Sequence, residues 1–142
     1  RKFKMARSGI KVPDEIINVY STKVQIKPTL GGLLFKLNDD NTEVMIEEEL
    51  AIGTTVDDVK AKLPENEPRY IVLDVSYDKG SGQKNSKIVF ILWNPDSAAI
   101  KKKMLYASTK DALRKKLDAI ASEFQASDLS DISAEEMAAK LK

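Results

Sequence analysis

The 142-residue chain contains no cysteine and no histidine. Without cysteine there can be no disulfide, which fits a reducing, cytoplasmic setting. Zinc sites built from Cys and His are excluded as well, as are Ser-His-Asp and Cys-His catalytic constellations. A general base would have to be Asp, Glu, Lys or Tyr. No apolar run approaches the ~18 residues of a membrane helix. The N-terminus lacks the apolar block of a signal peptide. Net charge is only +1, so no global basic field for nucleic acid exists, and any basic patch must come from local segregation. No repeat or low-complexity tract appears. The length suits one domain, with residues 5–142 as the folded unit. Met5 reads as a native start, and residues 1–4 as a remnant or disordered extension ahead of it.

The 42% apolar content is enough for a packed core. Val12-Pro13-Asp14 reads as a helix start, with proline and acid in the first turn. Ile16, Ile17, Tyr20 and Val24 follow at helical spacing, and Pro28 and Gly31-Gly32 end that region. Leu33 to Leu37 and Thr42 to Ile46 read as a hairpin around the turn Asn38-Asp39-Asp40-Asn41. Thr55 is a candidate N-cap for a short helix carrying Val56, Val59 and Leu63, stopped by Pro64. Strands Tyr70 to Tyr77 and Ser86 to Trp93 flank a polar loop. In the second strand Ile88, Phe90 and Leu92 face one way and Val89, Ile91 and Trp93 the other. Both sets are apolar, so helices must cover both faces of the sheet, giving an α/β arrangement of three layers. Ser133-Ala134-Glu135-Glu136 is a capping-box signal for a last helix bearing Met137 and Leu141.

Asn94-Pro95-Asp96-Ser97 opens what reads as a long helix reaching Phe124. Tyr106, Leu113, Leu117, Ile120 and Phe124 form its core stripe. Ile100, Met104 and Ala107 form a second stripe on nearly the opposite side, flanked by Lys103, Lys110 and Arg114. Ser108 with Asp111 would permit a kink. Two readings stay open: another part of the chain covers Ile100 and Met104, or they form an apolar centre in a basic rim, as at a partner interface. The lysines divide the same way, between a solvated face and a binding patch. Gly80-Ser81-Gly82 lacks the spacing of a phosphate loop. Glu47-Glu48-Glu49 lacks the spacing of an EF-hand, so no metal site is expected.

Five segments together resemble the actin-depolymerising factor/cofilin family. They are Met5-Ala6-Arg7-Ser8-Gly9-Ile10, Lys62-Leu63-Pro64-Glu65-Asn66, Ser86-Lys87-Ile88-Val89-Phe90, Trp93-Asn94-Pro95-Asp96-Ser97-Ala98, and the stretch Lys103-Met104-Leu105-Tyr106-Ala107-Ser108-Thr109-Lys110-Asp111-Ala112-Leu113. The resemblance runs from Met5 to Lys142. It implies the gelsolin-like ADF-homology fold, with a mixed central sheet of about five strands sandwiched by helices. It implies a monomeric, cytoplasmic, cytoskeletal protein that binds actin monomers and filaments and promotes severing and depolymerisation. No enzymatic activity, cofactor or nucleic-acid partner is implied.

By the same resemblance, Lys101, Lys103 and Met104 match the monomer-type actin surface, together with Arg7, Ser8, Gly9 and Ile10. Ser8 matches a serine whose phosphorylation inactivates many members. Lys84, Lys87 and Lys140 match a second, filament-type surface. Asn85 and Ala139 depart from the usual residues there, and without histidine the pH sensor proposed for some members is absent. The alternatives are a filament-side binder of the coactosin type and a phosphoinositide-binding module using the same lysines.

Overall fold

The computed structural model describes residues 4–5, 9–80 and 82–141, with side chains from Gly9 onward. Arg7 and Ser8 lie outside the described residues. A central sheet has the order β4-β3-β5-β6-β7. Its strands are β3 (Gly32–Leu37), β4 (Val44–Leu50), β5 (Arg69–Asp78), β6 (Lys84–Trp93) and β7 (Ile120–Ala126). The first four pair antiparallel, and β6 pairs with β7 in parallel. A separate two-stranded ribbon joins β1 (Lys4–Met5) to β2 (Lys11–Val12).

The doubly apolar strands dictate the layers. Tyr70, Val72, Phe90 and Leu92 bury one face of the sheet beneath Val12, Tyr20, Tyr106 and Leu113. These come from β2, from the first helix and from α3 (Ile100–Lys116). Ile71, Leu73, Val89, Ile91 and Trp93 bury the other face beneath Val59 and Met137. Those lie on α2 (Val56–Lys62) and α4 (Ala134–Leu141). This is the mixed five-stranded sheet between helices that the sequence implied. Gly32 is needed where β3 meets β5, since a Cβ there would stand 2.2 Å from the Val72 carbonyl oxygen.

Most local signals operate as read. α1 (Asp14–Val19) follows Pro13 and continues as wider π-type turns over Tyr20–Ile26. Thr55 and Asp58 form a reciprocal capping box at α2, which holds the Asp58 carboxyl below its usual range, chiefly through the Thr55 backbone N–H. Ser133 Oγ accepts from the Glu136 N–H at the start of α4.

The structure settles three points of the sequence reading, and one expectation fails. The long helix that follows Asn94-Pro95-Asp96-Ser97 does not reach Phe124: it spans Ile100–Lys116, and Ile120 and Phe124 lie on β7. A spacing of four satisfies both the helical period and the strand period of two. Pairing with β6 decides between them. A register shift opposite Ile88 and Val89 then turns Ile120 toward the first core and Phe124 toward the second. No glycine or proline follows Pro95 to mark the helix end; Ala119, at φ 63°, makes the corner instead. Ser108 with Asp111 does not break the helix. α3 is continuous, and the Ser108 and Thr109 hydroxyls donate back to the Leu105 carbonyl. Finally, β4 runs on through Glu47-Glu48-Glu49. A second register shift leaves Glu47 without a partner on β3, and Glu47 takes Arg69 at 2.8 Å. Glu48 pairs with Lys62 at 2.6 Å and Glu49 with Lys23 at 3.6 Å. The acids serve as charged cover on an edge strand.

Candidate actin-binding surface

α3 is placed by its inward residues. Tyr106 and Leu113 sit in the first core. Tyr70 donates its hydroxyl hydrogen to the Tyr106 carbonyl, and the Leu37 N–H donates to the Tyr106 hydroxyl at 2.9 Å. Burial pushes the titration of both tyrosine hydroxyls upward. At the helix entrance the Asn94 N–H donates to Ala126 O at 2.8 Å, and Asn94 Nδ2 donates to Lys103 O at 3.3 Å. The start of α3 therefore sits at the end of the parallel β6–β7 pair.

With that phase set, Ile100 and Met104 point outward, 76% and 66% exposed. Nothing in the described chain covers them, so the first of the two open readings fails for these residues. Lys101 is exposed beside them, and Lys103 approaches Asp96 at 3.8 Å. Lys102 turns away and donates to Asn41 Oδ1 at 3.2 Å. Lys110 and Arg114, which flank the outer stripe, are taken by Glu123 on β7 at 3.4 and 3.2 Å.

The helix start is electrostatically unfavourable by itself. It has no side-chain cap and no acid in its first turn. Three lysines lie at the positive end of the macrodipole, where cations are disfavoured.

A groove of about 500 Å³ adjoins this end, lined by Leu63, Trp93, Pro95, Asp96, Ser97 and Leu129 among others. Leu129 is 43% exposed. The sequence reading missed it; its one available signal was an apolar residue inside the polar turn Ser127-Asp128-Leu129-Ser130-Asp131.

Of the N-terminal segment Arg7, Ser8, Gly9 and Ile10 the structure describes Gly9 and Ile10. Gly9 is exposed, whereas Ile10 is 2% exposed and belongs to the core. Ile10 thus anchors the segment and has little surface to offer a partner. Lys116 Nζ donates to Val12 O at 3.3 Å and to Asp14 Oδ1 at 3.1 Å, tying β2 to α3. The Lys11 N–H bonds Thr42 O, in the same turn that receives Lys102.

The second set of lysines is spread along β6 and its neighbours, from Lys84 at its start to Lys140 over Phe124, which lies opposite Ile91. Lys84 opens that strand and is exposed. Lys87 donates to the Leu141 carbonyl at 3.2 Å. Lys140 lies 5.5 Å from the centre of the Phe124 ring. The ten residues of β6 separate Lys84 from the start of α3, a span of about 30 Å at strand rise.

The architecture is that of a three-layer α/β domain with an exposed apolar pair beside Lys101, and its family is shown by comparison. Residues 9–142 match the family described as cofilin/tropomyosin-type actin-binding protein, and the chain belongs to that family. It is 41% identical to the cofilin of Yarrowia lipolytica over 137 residues, covering 94% of this chain and 87% of that one. It is 41% identical to the actophorin of Acanthamoeba castellanii, covering 95% and 96%. The crystal structure of Streptomyces griseoflavus cofilin superposes with a TM-score of 0.84 at 36% identity, covering 94% of this chain and 98% of that one.

Proposed function

We propose that this protein binds actin monomers and filaments, severs and depolymerises filaments, and does so as a cytoplasmic monomer by binding alone. The monomer-type surface comprises Lys101, Lys103 and Met104 with the segment Arg7, Ser8, Gly9 and Ile10, the last as its anchor. The filament-type surface comprises Lys84, Lys87 and Lys140. The observation that carries the reading is the exposed Ile100–Met104 pair on an uncapped, lysine-bearing helix start. Apolar burial at the centre supplies affinity, and the lysines steer approach to an acidic partner. The length of β6, about 30 Å between Lys84 and the approach to α3, supports contact of Lys84 with a second subunit of the filament. The same lysines carry the charge that a phosphoinositide head group requires, so anionic vesicles compete with actin.

The test is the double variant Lys101→Ala, Lys103→Ala. It loses monomer binding and filament co-sedimentation while its thermal midpoint stays unchanged. Undiminished binding of both actin forms would sink the site assignment. Single-filament imaging separates severing from side binding of the coactosin type.

A further inference from the structure

Lys87 differs from Lys84 in how it is held. Its ammonium donates to the carbonyl of Leu141, in the last turn of α4. That carbonyl lies on the C-terminal side of α4, toward the negative end of the macrodipole. The Lys87 ammonium also lies 5.7 Å from the centre of the Tyr77 ring. That ring is itself fixed. Tyr77 is buried in the second core, and Asn85, its cross-strand partner, donates an amide hydrogen to its hydroxyl at 3.4 Å. Lys87 thus spans three elements: it grows from β6, rests on β5 and grips the end of α4.

From the opposite side α4 has a matching hold. Lys140 reaches over Phe124 of β7, and Met137 and Leu141 anchor the helix in the core. α4 has only eight residues, too few to be stable without tertiary contacts. Its last turn carries Lys140, one of the proposed filament-type residues.

We propose that Lys87 is a positioning residue: by holding the last described turn of α4 onto β6 it fixes where Lys140 stands relative to Lys84, and actin does not take its ammonium directly. The inference rests on the filament-type surface proposed above. A rim lysine that touches the partner gives up its charge to the interface. A lysine that caps a helix acts on the free protein, before any partner arrives. The two roles therefore leave different traces.

The test compares Lys87→Met, which keeps an apolar stem against Tyr77 but no donor, with Lys87→Arg, which keeps charge and donor. Amide hydrogen exchange of residues 138–141 is measured in the free full-length protein. Filament co-sedimentation is measured at two salt concentrations, with monomer binding as the control for folding. In Lys87→Met, exchange in the last turn of α4 rises by about tenfold. Filament affinity falls by about three- to tenfold with its salt dependence retained, and monomer affinity is unchanged. Lys87→Arg restores both exchange protection and filament binding. Unchanged exchange in Lys87→Met overturns the proposal, as does a loss of filament affinity accompanied by a shallower salt dependence, the trace of a direct contact. The double variant Lys84→Ala, Lys140→Ala tests the underlying reading separately. If it binds filaments normally, the filament-type surface fails even where the exchange result shows Lys87 holding α4.

Discussion

The buried hydroxyl of Tyr106 accepts a hydrogen bond from the Leu37 N–H at 2.9 Å, joining α3 to β3 across 69 residues of sequence. Turning Tyr106 inward is what turns Ile100 and Met104 outward. Tyr106→Phe keeps the ring but leaves the Leu37 N–H buried and unpaired. Such a loss costs about 1–3 kcal/mol. Urea denaturation reads this as a lower midpoint with the slope unchanged. The folded fraction binds actin as before, because no actin-facing side chain has moved. Lost binding in fully folded protein would mean that the bond sets the phase of α3 and not merely its stability.

Tyr20 contributes, with Tyr70 and Tyr106, to an alkaline limit on stability. Burial pushes its hydroxyl from 10.0 up to about 12, with the Asp118 charge adding to the shift and Arg114 opposing it. The hydroxyl donates to the Asp118 carbonyl. Between pH 10 and 12 the unfolded chain releases this proton while the folded chain keeps it. The stability Tyr20 contributes is complete below pH 10 and is lost as pH rises through about 12. Tyr20→Phe should flatten that part of the stability profile and cost about 0.5–1.5 kcal/mol at neutral pH through the lost hydrogen bond. Thermal melts from pH 8 to 12 check both, and an equally steep alkaline fall in the variant would exclude Tyr20 as a contributor.

Ala119 makes the corner between α3 and β7 at φ 63°, where a Cβ is strained. Ala119→Gly removes that strain at the cost of a looser unfolded chain. The expected net gain is about 0.5 kcal/mol, with no change in actin binding. Destabilisation in a melt would show that the Ala119 methyl contributes packing.

Ser8 tests the regulatory expectation. A carboxylate at that position places negative charge two residues before Ile10, which is buried in the first core. Ser8→Glu should weaken monomer binding by at least ~1 kcal/mol, the scale of one modest charge contact. A phosphate adds about −1.5 to −2 charge and should act more strongly. Tight monomer binding retained by Ser8→Glu would contradict the switch.

The sheet was legible because its signals are local. Phe90 and Leu92 alternate with Val89, Ile91 and Trp93, and that pattern admits only a strand buried on both sides. Pro13, Thr55 and Ser133 marked helix starts by chemistry that acts within one turn. The end of α3 was not legible. Leu117, Ile120 and Phe124 fit a continuing helix, and no punctuating residue contradicts it. The partner that overrides them is β6, some 30 residues earlier, which offers a free edge for parallel pairing. Glu47-Glu48-Glu49 was obscure for the same reason. Its meaning lies in Lys23, Lys62 and Arg69, each remote in sequence.

The sequence by itself determined the layers, the two apolar cores and the outward stripe on α3, because periodicity is a property of neighbouring residues. It left open whether anything covers Ile100 and Met104. Only the tertiary structure decided that, by placing the start of α3 at the exposed end of β6 and β7. It also divided the lysines. Lys101 stays exposed, Lys102 goes to Asn41, Lys116 goes to Asp14, and Lys87 caps Leu141. A side chain's charge is written in its residue type. The group that charge meets depends on how distant segments pack.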